Sequence, residues 1–135
     1  MSSTIGVRQI DHVTLVSANL QRSEAFYVEL LGMQKVPRPN FSFNGRWFQA
    51  GQTLIHLIEV HEQTGPAGPG RTQANRATRE AHLAFSIQDM DLAHQLVLKA
   101  DVSIVSGPKK RPDGASQLFI LDPDEYLIEL CTDPE

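Results

Sequence analysis

The 135-residue sequence contains a single cysteine, Cys131, so no disulfide can form within the chain. One unpaired thiol suits a reducing compartment, and we expect the protein to work in the cytoplasm. Positive charge is also scarce, because 12 basic against 16 acidic residues give a net charge of −4. This balance disfavours nucleic acids and anionic membranes as partners. No apolar run has the length of a transmembrane helix, and residues 1–11 do not resemble a secretory signal.

Several motifs of well-known enzymes are absent as well. The sequence has no CxxC pair for zinc, no glycine-rich phosphate loop and no arrangement typical of Ser/His/Asp catalysis. The length excludes a Rossmann enzyme or an eight-fold barrel. It allows one compact domain or two very small repeated halves.

The hydrophobic periodicity predicts the same order of elements twice. In the first half we expect a strand, a helix that begins after the N-cap Asn19, and three strands, over 10–16, 20–31, 34–36, 46–50 and 53–60. In the second half the helix follows Asp89, and the elements cover 81–87, 90–100, 102–105, 117–121 and 126–131. His12 and His82 are separated by the same interval as the two caps, which favours an internal duplication.

These patterns predict an α+β fold of two βαβββ modules, over about 9–60 and 80–131. The modules would form one curved mixed sheet around a cavity, with the helices on the outside. The polar segment 61–79 between them is either a solvated connector or a lid or dimer-spanning loop. A second polar loop is expected over 106–115, where Lys109, Lys110 and Arg111 could bind an anion or could form an ordinary solvated charge run.

Strand alternation predicts a candidate metal site. Four residues occupy the faces opposite the packing side chains, in the first and last strands of the two halves: His12, His56, His82 and Glu129. Closure of the modules would bring them to one cavity. Three imidazoles and a carboxylate suit a divalent transition metal such as Fe, Mn, Co, Ni or Zn. Taken singly, a histidine on a strand is more often a hydrogen-bonded core residue than a ligand, but a carboxylate at the repeat position of a histidine favours a nearby cation.

Aromatic residues between the second and third strands offer a candidate wall for a small substrate. Phe41, Phe43, Trp47 and Phe48 are apolar, and Arg46 would supply a cation. A plain contribution of the aromatics to the hydrophobic core explains them equally well.

Four sequence phrases resemble the vicinal oxygen chelate superfamily: 10–13 (IDHV), 23–27 (SEAFY) with 31–33 (LGM), 81–85 (AHLAF), and 121–124 (LDPD) through 128–130 (IEL). That group includes glyoxalase I, fosfomycin-resistance thiol transferases, methylmalonyl-CoA epimerase, extradiol dioxygenases and bleomycin-binding proteins. The resemblance implies a metal held by His12, His56, His82 and Glu129. It also implies that Glu129 moves a proton. The sequence departs from bacterial glyoxalase I, which has glutamate at the place of His56, and from the family's usual glycine at Glu125.

The resemblance implies a metal-dependent, glyoxalase-like lyase or isomerase that chelates neighbouring oxygens of a small substrate and moves a proton through an enediolate. A non-haem iron dioxygenase is a second possibility, since His12, His82 and Glu129 would make a facial triad. A thiol transferase for antibiotic resistance and a non-enzymatic drug-binding protein are further alternatives. Family members commonly dimerise, so we expect a homodimer, with its sites within one chain or across two.

Overall fold

The computed structural model describes residues 3–70 and 76–135, and its elements repeat in the predicted order. The first module consists of β1 (Val13–Ser17), α1 (Leu20–Glu24) continuing as a π-helical segment (Ala25–Leu30), β2 (Gln34–Val36), β3 (Gly45–Ala50) and β4 (Thr53–Glu59). The second consists of β5 (Leu83–Ser86), α2 (Met90–Lys99), β6 (Ile104–Lys110), β7 (Ser116–Leu121) and β8 (Leu127–Cys131). The α+β class and the two βαβββ modules are therefore confirmed. None of the described helices is both long and apolar enough to cross a membrane.

Each module forms its own four-stranded mixed sheet, with strand orders β1-β4-β3-β2 and β5-β8-β7-β6. The first strand of each module runs parallel to the last, and the other pairs are antiparallel. Within the described ranges no backbone pairing joins the two sheets, so the single curved sheet expected from the sequence is in fact two sheets. The modules associate through side-chain packing and hydrogen bonds instead.

The strand registers of the two modules correspond around His56 and Glu129. Thr14 lies opposite His56 in the first sheet, as Ala84 lies opposite Glu129 in the second. On the other side of each last strand, Trp47 pairs with His56 and Phe119 pairs with Glu129. His56 and Glu129 are therefore structurally equivalent residues.

Both helices begin at the predicted caps. The side chain of Asn19 accepts a hydrogen bond from the backbone N–H of Arg22, and Asp89 accepts one from Leu92. The first helix widens because the N–H of Leu31 donates to the carbonyl of Phe26, five residues earlier, over 3.0 Å. Both helices bury one face against the sheets.

One hydrophobic core contains residues of both modules. Tyr27, Phe48 and Ile55 of the first module and Leu118 and Ile128 of the second are almost completely inaccessible to solvent. Burial of side chains this large stabilises the fold by roughly 1.5–3 kcal/mol for each. Sharing them between modules means that neither module completes its core alone.

The turn between β7 and β8 ties the second module to the first helix. Asp122 accepts a hydrogen bond from the buried hydroxyl of Tyr27 over 2.7 Å. Asp124 accepts from the guanidinium of Arg22 at 3.0 Å and from the hydroxyl of Ser23 at 3.2 Å. Burial raises the pKa of the Asp122 carboxyl to about 6, although the hydrogen bond from Tyr27 lowers it. The aspartates of this turn therefore stabilise the contact between the modules.

In the same turn, Glu125 has a φ of 68°. This is the left-handed region that glycine adopts without strain, as the departure from the family pattern implied.

The loop predicted over 106–115 is wrong in its first half, because β6 extends to Lys110. Pro108 is tolerated there since β6 is an edge strand with shifted register against β7. Arg111 then forms an ion pair with Asp113 in the turn that follows. Lys109 lies 5.9 Å from the centre of the Phe119 ring.

The segment predicted as a connector contains no helix or strand in its described parts, 61–70 and 76–79, while 71–75 lie outside the described residues. Two of its described residues are nonetheless packed on the second module. Gly68 meets the backbone of Asp124 so closely that a Cβ atom would be 2.2 Å from its carbonyl oxygen. The guanidinium of Arg76 is buried, forms an ion pair with Glu80 and donates to the carbonyl of Glu125. Both residues therefore contact the turn between β7 and β8.

Candidate metal site

The first and last strands of each module position the candidate ligands. His12 and His82 stand immediately before β1 and β5. In β4, Ile55 and Leu57 are buried in the core while His56 faces the other way and is half-buried. Glu129 is 6% exposed, which is unusually low for a carboxylate. The predicted alternation of faces is thus present in the structure.

His82 and Glu129 form a directly bonded pair. The Nε2 atom of His82 lies 2.9 Å from Oε1 of Glu129, and the Nε2 amide of Gln117 donates to Oε2 over 3.0 Å. The other ring nitrogen of His82, Nδ1, lies 2.7 Å from the carbonyl oxygen of Glu80. Because a carbonyl only accepts, Nδ1 must hold a proton. A neutral His82 would then direct the lone pair of Nε2 at a carboxylate, so this pair needs a proton or a cation.

The same pair has the spacing of two ligands of one transition metal ion. With bond lengths of about 2.0–2.2 Å, two ligands at right angles are about 3 Å apart. Fixing the remote nitrogen of a ligating histidine by a backbone carbonyl, and holding a ligating carboxylate by a second hydrogen bond, are both typical of such centres. The donor set of His82 and Glu129 therefore fits a divalent ion.

His12 and His56 meet in a different way. Their rings stack with centroids 3.9 Å apart and planes inclined by 18°. Trp47 stacks on the opposite face of His56 at 3.9 Å and 4°. The Nδ1 atom of His12 lies 2.7 Å from Oδ2 of Asp11, and this contact lowers the pKa of the Asp11 carboxyl. The Nε2 atom of His56 is buried without a partner, and burial, together with the adjacent His12, lowers the pKa of the His56 ring.

The four predicted ligands therefore form two pairs, one in each module. Across residues 3–70 and 76–135, no group of three or more His, Cys, Asp or Glu side chains is arranged to hold a metal ion. The convergence of all four at a single point, expected from the sequence, does not occur within one chain. Each pair belongs to a separate sheet, and no strand pairing among the described residues joins the two sheets.

Of the predicted aromatic wall, Phe41 and Phe43 stack at 5.1 Å, and Phe41 lies 6.3 Å from Trp47. Phe48 is fully buried and belongs to the core. Arg46 forms an ion pair with Glu24 and does not supply a free cation. Phe48 thus follows the core alternative, whereas the expectation that Arg46 supplies a cation to the wall is wrong, because both side chains point away from the face that holds Trp47.

Two residues that contact the pairs were not predicted from the sequence, namely Asp11 and Gln117. Arg38 lies against the aromatic residues instead, with its guanidinium 4.8 Å from the centre of the Phe41 ring. Gln117 shares its strand face with Phe119, so its proximity to Glu129 was available from alternation in β7. Asp11 precedes β1, where no regular alternation indicates the direction of its side chain.

The fold and the paired sites define a class: small α+β proteins built from two repeated βαβββ modules. The chain belongs to the Glyoxalase/Bleomycin resistance protein/Dioxygenase superfamily, whose family model matches residues 9–130.

Individual relatives are distant in sequence. The chain is 26% identical to Glyoxylase I 4 of Arabidopsis thaliana over 90% of this chain and 69% of that protein. It is 28% identical to the glutathione transferase FosA of Serratia marcescens, over 92% of this chain and 80% of the relative. A glyoxalase/dioxygenase from Nostoc punctiforme superposes with a TM-score of 0.80 at 24% identity, covering 100% and 99% of the two chains, and supports the fold.

Proposed function

We propose that this protein is a metal-dependent enzyme of the glyoxalase type, a lyase or isomerase that moves a proton on a small substrate with two neighbouring oxygens. The observation behind the proposal is the 2.9 Å contact between Nε2 of His82 and Oε1 of Glu129. Both groups are oriented by further hydrogen bonds from Gln117 and to Glu80. An ion pair with a purely structural role would not need both partners to be oriented by further hydrogen bonds on the sheet face opposite the core.

The metal would be held by His82 and Glu129 together with His12. His12 is fixed through Nδ1 by Asp11, so its Nε2 atom is free to bind an ion. Since the described residues of one chain do not bring three ligands together, we propose that His12 comes from a second copy of the chain. A homodimer of this kind would contain two composite sites.

Exposed apolar side chains support association of two copies. Ile5, Val7 and Ile10, which precede β1, are 96%, 83% and 77% exposed. Three large aliphatic side chains so close together in sequence are costly to leave in water, at about 25 cal/mol for each Å². These residues precede His12 in the sequence, and we propose that a second copy of the chain covers them.

Glu129 would move the proton. Its carboxylate is largely shielded from water, and Gln117 holds Oε2 so that Oε1 is directed at His82. A shielded carboxylate that faces a bound substrate can accept a proton and return it at a neighbouring atom. When bound, a divalent ion would polarise the substrate oxygens and favour removal of that proton.

A non-haem iron dioxygenase is the second candidate. One observation favours it: His12, His82 and Glu129 without His56 make a set of two histidines and one carboxylate, as in non-haem iron oxygenases. Oxygen uptake with a catechol in the presence of Fe²⁺, without isomerisation of an aldehyde–thiol adduct, would decide for this reaction.

Metal analysis tests the proposal. Protein purified without chelator should contain close to one transition metal ion per chain, and His82→Ala and Glu129→Ala should lose it. His94→Ala, a histidine of α2, is the control and should retain the metal. Substrate assays with methylglyoxal–thiol adducts, catechols and fosfomycin then separate the lyase, the dioxygenase and the thiol transferase. Absence of metal after growth in metal-supplemented medium would favour a non-enzymatic binding protein and refute the proposal.

A further inference from the structure

We propose that His56 is not a metal ligand but a positioning residue, whose ring supports the ring of His12 from one face. This inference rests on the proposed function in one respect, namely that His12 is a ligand. It assigns different roles to the two equivalent positions, His56 and Glu129.

The orientation of the two stacked rings is the first argument. An imidazole binds a metal ion in the plane of its ring at about 2.0–2.1 Å from the nitrogen. The ring planes of His12 and His56 are inclined by only 18°, with centroids 3.9 Å apart. Planes so arranged meet on the order of 10 Å away, whereas each nitrogen needs the ion at about 2 Å. An ion bound well by His12 is therefore out of the plane of His56.

The surroundings of His56 are the second argument. Trp47 covers the face that His12 leaves free, so the ring of His56 lies between two parallel rings. Its Nε2 atom is buried and has no hydrogen-bond partner. An ion would have to approach this nitrogen in the plane of the ring, where the atom is not accessible to solvent. The stack itself benefits from flat, apolar contact between the three rings.

The second module provides a comparison, because the residue equivalent to His56 has there the contacts expected of a ligand. Glu129, the equivalent of His56, meets His82 edge to edge, with a nitrogen and an oxygen 2.9 Å apart. In the first module the equivalent contact is face to face. The opposing aromatic residue differs too, because Trp47 stacks on His56 whereas Phe119 contacts the edge of His82 at 74°. The duplicated positions have therefore taken different roles.

Two contacts together leave His12 a single useful orientation. Asp11 holds the Nδ1 edge of the ring, and His56 covers one of its faces. Only Nε2 remains free to act as a ligand. His12 is 38% exposed, so without such contacts its ring would rotate in water, and ordering it would weaken metal binding.

Titration with Co²⁺ alone tests this role. His56→Phe keeps a flat ring in the stack without any nitrogen, His56→Ala removes the ring, and His94→Phe makes the same replacement on α2 as a control. We expect the Kd for Co²⁺ to stay within about threefold of wild type in His56→Phe and to rise roughly 10- to 100-fold in His56→Ala. X-ray absorption should find the same number of imidazoles at the metal in wild type and His56→Phe.

A loss of one imidazole in His56→Phe, with a Kd as poor as in His12→Ala, would overturn the inference and make His56 a ligand. Proton NMR of the metal-free protein gives an independent result. The ring protons of His12 should shift upfield through stacking, retain that shift in His56→Phe and lose it in His56→Ala. Unchanged His12 signals in His56→Ala would also overturn the inference. If wild type fails to bind Co²⁺, the proposed function fails, and the NMR result alone decides whether His56 positions His12.

Discussion

Removal of the Tyr27 hydroxyl should destabilise the protein more at alkaline than at acidic pH. Tyr27 is fully buried, and its hydroxyl donates to Asp122 over 2.7 Å. Tyr27→Phe keeps the ring and removes only this donor. At pH 8, Asp122 is ionised, and loss of a hydrogen bond to a charged group costs about 1.5–3 kcal/mol. At pH 4.5 the carboxyl is largely protonated, and the cost falls to about 0.5–1.5 kcal/mol.

The pKa of Asp122 determines how the stability of the protein changes with pH. Burial raises it from 3.8 to about 6 in the folded protein. Between these pH values the folded state binds more protons than the unfolded chain. Protonation of Asp122 therefore adds to the free energy of unfolding in full below about pH 4, and this stabilisation is lost as the pH rises through 6. The stabilisation lost amounts to about 3 kcal/mol. The hydroxyl of Tyr27 lowers this pKa, and its removal should make the loss of stability at high pH steeper.

Urea unfolding followed by circular dichroism, at fixed protein concentration and with chelator, measures both quantities. Tyr126→Phe is the matched control, because among the described residues its hydroxyl bonds with the uncharged backbone of Val16. The control should lose the same free energy of unfolding at pH 4.5 and pH 8. Equal losses for Tyr27→Phe at the two pH values would refute this account of the contact between modules.

Three further substitutions test other features of the fold. Glu125→Gly should raise the free energy of unfolding by about 0.5–1 kcal/mol because the positive φ of 68° is relieved, and Glu125→Ala should not. Gly45→Ala should lower it by about 1–3 kcal/mol, since the new Cβ would lie 2.3 Å from a backbone oxygen of β4; Gly65→Ala, with open space around it, should be neutral. Asp124→Ala should cost about 1–3 kcal/mol, because the hydroxyl of Ser23 and the N–H of Ala18 lose their acceptor while the half-exposed Arg22 returns to water; the exposed Asp133→Ala should cost under about 0.5 kcal/mol. Urea denaturation measures all three, and inverted rankings within a pair would contradict the corresponding argument.

The fold was largely predictable from the sequence because its signals are local. Asn19 and Asp89 cap their helices through hydrogen bonds to residues three positions later. Alternation in β4 places His56 on the face of the sheet that Ile55 does not occupy. The extension of β6 was missed because its pairing with β7 is irregular and includes Pro108. Local patterns contain no information on such tertiary adjustments.

The candidate site was predictable only in part. The residue faces follow from alternation, but the contact between His12 and His56 depends on the angles of two rings, which no spacing specifies. The same pattern of repeats predicted equivalent roles for His56 and Glu129, whereas the structure gives them different contacts. How the two sheets associate depends on packing across the shared core.

Mixing of two variants measures the composite site most directly. His12→Ala and His82→Ala chains, each unable to bind metal alone, are unfolded together in equal amounts, refolded with Co²⁺ and analysed for bound metal. If His12 of one copy joins His82 and Glu129 of the other, random pairing should restore about a quarter of the wild-type metal content, all of it in heterodimers. No metal in the mixture, with full occupancy in wild type refolded in the same way, would contradict a site shared between two copies.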